Sequence, residues 1–210
     1  MRLILASTSP RRKELLTLLG LRFDIVAPPF VEQVVPNRSA EQQAVAFAVG
    51  KAKSCIELCP DALILGSDTL ISLGSEVLGK PADSADAESM LRRMAGQTHK
   101  IFTAVALVGS GPDLYEVRVA RVSVTMKALN EEALSAYLRT GDSLGKAGAY
   151  SIQGGGAELI ERIEGDYTAA VGLPIRIVAD MLRRRGMPCP VDVDRLYAHK
   201  PYPNWARFNP

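Results

Sequence analysis

The sequence predicts an α/β domain built on a mixed sheet. Short apolar runs alternate with helical patterns in both halves of the chain, and the first such unit is punctuated as strand, loop and helix. Composition agrees: 47% of the 210 residues are hydrophobic and 23% are charged, a balance that supports a core of useful size.

The elements follow in order. Leu3 to Ala6 is an apolar run, after which Ser9 stands at a helix cap and Pro10 at the first helical position, with Gly20 past the end. Residues 23–27 read as a second strand. Pro28, Pro29 and Pro36 make the next stretch a loop that carries Glu32. Ser39 and Gln42 form a capping box, opening a helix that its apolar stripe carries to Cys59, with Lys51 and Lys53 flanking the stripe. Residues 63–65 read as a buried strand ending in Gly66-Ser67-Asp68-Thr69, and 70–78 as a hairpin around Gly74-Ser75. Asp83 or Ser84 caps a helix to Gly96. Strands at about 100–108 and 115–127 follow, joined by Gly109-Ser110-Gly111-Pro112-Asp113, and the second of them reads as well buried along its length. Asn130 caps a helix to Thr140. Residues 141–157 contain six glycines, which calls for irregular backbone that another group can approach closely. A strand at 159–163, a turn at 164–166 and a helix from Pro174 to Gly186 complete a single domain of residues 1–187. Residues 188–210 hold five prolines and no helical period, so they read as an irregular tail, with Tyr197, Tyr202, Trp205 and Phe208 as its packing residues.

Several function classes are disfavoured. A formal charge of +2 is too mild for a dedicated nucleic-acid binder, and no strand interleaves aromatic and basic residues. Three cysteines without a CxxC pair argue against a disulfide framework or a zinc site. The N-terminus turns polar too soon for a signal peptide, and no apolar run would span a bilayer, so a cytoplasmic protein with no membrane partner is expected. P-loop, GxSxG and HExxH motifs are absent.

The loop at 7–12 is where the sequence points to chemistry. A helix N-terminus offers free N–H groups and partial positive charge, a setting that binds phosphate. Ser7, Thr8 and Ser9 add hydroxyls, and Arg11 and Arg12 add forked donors. Asp68, at the end of an apolar strand, suits a general base or metal ligand, against the plainer reading of a turn aspartate. Glu32 could join it in holding a hard divalent cation near a triphosphate. Lys80, between Gly79 and Pro81, extends a cation from a fixed loop, and Lys51 and Lys53 could add two more. His99 reads as structural more readily than as a base. Gln153, ahead of three glycines, offers an amide able to read a nucleobase edge.

Taken together, Leu5 to Arg12, Glu32, Lys51 and Lys53, Ser67-Asp68-Thr69, Gly79-Lys80-Pro81, Gly96-Gln97-Thr98-His99 and Val171-Gly172-Leu173-Pro174 resemble the Maf family over roughly residues 2–185. The family comprises nucleotide pyrophosphatases named for inhibition of septum formation. The resemblance implies a two-lobed α/β fold around a cleft, related to inosine triphosphate pyrophosphatases. It implies a divalent metal, Mg²⁺ or Mn²⁺, and hydrolysis between the α- and β-phosphates of a nucleoside triphosphate. Asp68 matches the proton acceptor; Glu32, Lys51, Lys53 and Lys80 match charged residues of the cleft. Arg11, Thr69 and Gln153 match the specificity positions of the branch acting on dTTP and UTP. The alternatives are the 7-methyl-GTP branch, a broader activity on modified nucleotides, modified pyrimidine nucleotides among them, and a nucleotide-sensing regulator of septum formation. A homodimer is expected from the resemblance alone. Ser67 stands where many relatives have alanine, and is expected to influence the hydrogen bonding of Asp68.

Overall fold

The computed structural model describes residues 1–111 and 114–208. Strand β1 (Arg2–Ala6) passes through the Ser7–Ser9 loop into helix α1 (Pro10–Thr17). Ser9 accepts the Arg12 amide as the cap, with Pro10 at the helix start, where its missing N–H costs nothing. After β2 (Asp24–Val26) and the proline-rich loop comes α2 (Ala40–Lys53), entered through the complete capping box of Ser39 and Gln42. The helix stops at Lys53, short of Cys59. Cys55 and Ile56 donate to carbonyls three residues back, so tight turns preserve the apolar spacing that suggested a continuous helix.

Strand β3 (Ala62–Leu73) turns at Gly74-Ser75 into β4 (Glu76–Leu78), and α3 (Ser84–Met94) leads to β5 (Thr98–Val108) and β6 (Tyr115–Met126). Of the expected connection at 109–113, Pro112 and Asp113 lie outside the described residues. Strand β6 is not buried along its length. Only Val122, Val124 and Met126 are fully covered, in alternation, because the strand's first half runs along an open part of the sheet. Helix α4 (Glu131–Arg139), two 3₁₀ turns (Ala147–Ala149 and Gly155–Leu159), β7 (Ile160–Glu164), α5 (Tyr167–Val171) and α6 (Ile175–Arg184) follow.

The tail also has regular structure: α7 (Val193–His199) is capped by Asp192, and α8 (Pro203–Phe208) follows. The irregular reading of 188–210 is therefore corrected. Pro188 and Pro190 precede α7, Pro201 lies between the two helices and Pro203 starts α8, positions where no helical backbone donor is needed. Trp205 is fully buried, stacked on Tyr167 at 5.6 Å and met edge-on by Tyr197 at 4.9 Å.

The described strands form one sheet in the order β2-β1-β3-β5-β6-β7, with β4 beside β3. Pairing is parallel from β2 to β3 and antiparallel beyond it, so the sheet is mixed. Alternate residues face opposite sides. One face packs Ile4, Ala6 and Ile64 against Ala44, Ala48 and Ala52 of α2. The other packs Leu3, Leu5, Leu63 and Leu65 beneath the remaining helices. No helix among the described residues is long and apolar enough to cross a membrane.

Candidate active site

The register of β3 creates the site. Strand β1 pairs with it only from Ala62 to Gly66, and β4 only from Leu73 back to Ile71. Along that edge Ser67 to Leu70 have no neighbouring strand among the described residues, while β5 continues to pair them on the other side. Asp68 is therefore held mid-strand, not at the strand end expected from the loss of apolar residues after Leu65. Ladder hydrogen bonds to β5 carry the strand onward whatever the side chains. The gap opens a cleft of about 820 Å³ that receives side chains from both faces of β3.

On one face, two glycines let α2 and the proline-rich loop close in. A Cβ at Gly66 would lie 2.3 Å from the Ala48 carbonyl oxygen, so only glycine lets α2 lie this close to β3. At Gly50 a Cβ would lie 2.2 Å from the Phe30 ring, so Phe30 seats the loop directly on the helix. Lys51, next to Gly50, then reaches both carboxylates. Its ammonium lies 2.5 Å from Glu32 Oε1 and 2.5 Å from Asp68 Oδ1. Lys51 and Asp68 are buried and Glu32 is half-exposed. Asp68 Oδ2 is buried without a hydrogen-bond partner among the described residues. Burial raises the Asp68 pKa, Lys51 and Arg12 pull it back, and Glu32 pushes it up again.

On the other face, Arg12 donates through Nε to the Gly172 carbonyl at 3.1 Å and through Nη2 to Thr69 Oγ1 at 3.4 Å. Thr69 pairs across the sheet with Thr103, whose hydroxyl donates to the Ala169 carbonyl. Ser67 donates to the Gly172 carbonyl at 3.2 Å. Contrary to the expectation from sequence, it does not bond Asp68, because neighbours along a strand point to opposite faces. In the loop at 7–12, Ser7 Oγ accepts the Ser9 amide and Ser9 Oγ accepts the Arg12 amide. Each hydroxyl is used as an acceptor, and its O–H remains to be donated. Arg11 and Lys80 reach the cleft with no hydrogen-bond or ion-pair partner among the described residues.

Ser7, Ser9, Arg11, Arg12, Glu32, Lys51, Asp68, Thr69, Lys80 and Gln153 thus line one cleft. Lys53 does not. It is exposed and lies over the Tyr115 ring at 5.3 Å. Two positions along a helix rotate a side chain by roughly 200°, so Lys51 and Lys53 cannot share a face. Sequence reasoning missed Lys146, a cleft residue whose ammonium is held by Asp142 Oδ1 at 2.8 Å. The i,i+4 spacing of that pair was a usable signal, obscured by the surrounding glycines. With it the cleft carries five cations against two carboxylates, which suits a polyanion.

His99 plays no part in the cleft. It is fully buried, with Nε2 2.7 Å from the Tyr150 hydroxyl, and burial lowers its pKa to about 4. A histidine held neutral in the fold but protonated when unfolded costs stability as pH falls from about 6.5 toward 4. Between pH 7 and pH 4 the wild type is expected to lose up to about 3 kcal/mol more than His99→Gln in denaturant unfolding. Equal losses in the two chains would show that His99 is not the buried neutral group.

Residues 2–185 match the family model described as Maf-like protein. The chain is 40% identical over 185 residues to the dTTP/UTP pyrophosphatase of Geobacter sulfurreducens, covering 88% of this chain and 97% of the relative. It is 42% identical over 188 residues to the dTTP/UTP pyrophosphatase of Myxococcus xanthus, covering 90% and 94%. The enzyme of that name from Symbiobacterium thermophilum is 42% identical over 186 residues, covering 89% and 95%.

Proposed function

The chain belongs to the Maf family, and from that premise we propose that it hydrolyses dTTP and UTP to the monophosphate and pyrophosphate. The observation that carries the reading is Asp68, held by Lys51 through one oxygen while its other oxygen is buried in a cationic cleft with no hydrogen-bond partner among the described residues. Arg11, Arg12, Lys51, Lys80 and Lys146, with the Ser7 and Ser9 hydroxyls, share the charge of the triphosphate. The Asp68 carboxylate takes a proton from a water whose oxygen bonds to the α-phosphorus. The bond from that phosphorus to the bridging oxygen breaks, and pyrophosphate leaves with the electron pair. Positioning and electrostatics supply most of the rate, as in phosphoryl transfer generally. Gln153 reads the base edge, with Arg11 and Thr69 shaping its pocket.

The donor set also fits a hard divalent cation, Mg²⁺ or Mn²⁺, with Glu32 and Asp68 as the protein ligands. The unpartnered Asp68 Oδ2 is the atom with free capacity, and no third His, Cys, Asp or Glu joins the two among the described residues. When bound, such an ion neutralises charge on the phosphate oxygens. This reading has the enzyme act on free nucleotides in the cytoplasm.

A side-by-side panel of dTTP, UTP, CTP and 7-methyl-GTP, with pyrophosphate detection and with Mg²⁺ added or chelated, tests the proposal. The expected result is cation-dependent pyrophosphate release, fastest with dTTP and UTP. Preference for the methylated purine would move the chain to the other branch, and nucleotide binding without turnover would make it a sensor.

A further inference from the structure

The C-terminal helices begin beyond the last residue matched to the family, yet they bond to two segments that supply cleft residues. Asn204, in α8, donates from Nδ2 to the Ile152 carbonyl oxygen at 2.8 Å. That carbonyl and the Gln153 N–H belong to one planar peptide unit, so fixing the oxygen fixes the plane from which the Gln153 side chain departs. Ile152 and Gln153 both line the cleft. Three glycines follow, and they supply little stiffness of their own. Arg207, also in α8, is bonded to Glu158 at the far end of this segment.

The other anchor is at α5. The Tyr197 hydroxyl donates to Asp166 Oδ2 at 2.8 Å, lies 3.0 Å from Thr168 Oγ1 and accepts the Arg176 amide at 3.3 Å. Thr168 in turn accepts the Ile175 amide, and its carbonyl holds the amides of Gly172 and Leu173. Gly172 is the residue whose carbonyl receives Arg12 and Ser67. Trp205, fully buried and stacked on Tyr167, is met edge-on by Tyr197 and so ties α8 to α7.

We propose that the C-terminal segment is a positioning element for base recognition, with Asn204 the positioning residue that sets the Gln153 peptide. The inference rests on the reading of the cleft as a nucleoside triphosphate site. The segment does not itself line the cleft; it acts by holding Ile152 on one side and the α5 turn on the other.

The test is a double-mutant cycle on the full chain with the triphosphate that the wild type cleaves fastest. Asn204→Ala is expected to raise KM about 3- to 10-fold, the scale of one neutral hydrogen bond, with kcat within about twofold. In a Gln153→Ala chain the same substitution is expected to leave KM within about twofold, because the group it positions is already gone. Asn204→Asp, which keeps the shape and loses the donor, is the companion variant and is expected to follow Asn204→Ala. An equal KM rise in both backgrounds, a loss confined to kcat, or no change in either variant overturns the inference while leaving the function intact. A wild-type chain that turns over no nucleoside triphosphate overturns the functional reading, and this inference with it.

Discussion

Asp68→Asn is expected to lower kcat by about 10²–10⁴-fold while the protein stays folded. Asparagine keeps the shape of the side chain and can still meet the Lys51 ammonium through its carbonyl oxygen, but it accepts no proton from water. Stability is expected to change little, and the sign can be worked out. Burial raises the Asp68 pKa above that of an ordinary aspartate. A carboxyl raised in this way favours the folded state as the acid, and that contribution is lost as pH rises through the folded pKa. At neutral pH an ionised Asp68 is therefore a cost of folding that asparagine does not carry. Steady-state kinetics and thermal unfolding on one preparation check both halves, with the midpoint expected to move by no more than a few degrees. Turnover within tenfold of wild type in folded protein would remove Asp68 from the role of proton acceptor.

Lys51→Met is expected to damage both stability and chemistry. The ammonium separates two carboxylates at 2.5 Å from each, and methionine leaves Asp68 buried beside Glu32 with the cation between them gone. Removing one partner of a buried pair costs about 3 kcal/mol, which lowers the midpoint of a chain this size by roughly 6–12 °C. Lys51 also holds the Asp68 pKa down, by charge and by hydrogen bond. Without it the carboxylate ionises at higher pH. The acid limb of the kcat/KM profile is expected to shift upward, and activity near neutrality to fall further than at alkaline pH. A pH–rate profile checks this, and an unmoved acid limb would show that Lys51 does not govern the ionisation of Asp68.

These two residues mark the boundary of what could be read from the chain. The loop at 7–12 was legible because its physics is local: Ser9 as cap, Pro10 at the helix start and two arginines in the first turn lie within six residues. Glu32, Lys80 and Gln153 were legible as candidates because proline or glycine beside them announced a fixed or closely approached backbone. The sequence alone also determined the alternation of strands and helices, the caps at Ser39 and Asn130, and family membership through motifs kept in order, while the structure chose Asp83 over Ser84 as the cap of α3.

Only the tertiary structure decided which charges meet. Lys51 and Lys53 are equivalent in composition, and the rotation of α2 over Gly66 sends one to Asp68 and the other to Tyr115. Asp68 looked like a strand end because apolar residues stop at Leu65, but pairing across to β5 carries the strand through it. Ser67 turned to Gly172, far away in sequence, and not to its neighbour. The tail hid its two helices because each is under eight residues, too short for a hydrophobic period to register, and they are held by Trp205 stacking on Tyr167 and by Tyr197 bonding Asp166. In each case the deciding contact joins residues distant in sequence, and local propensity carries no information about such a contact until the sheet register fixes which elements lie side by side.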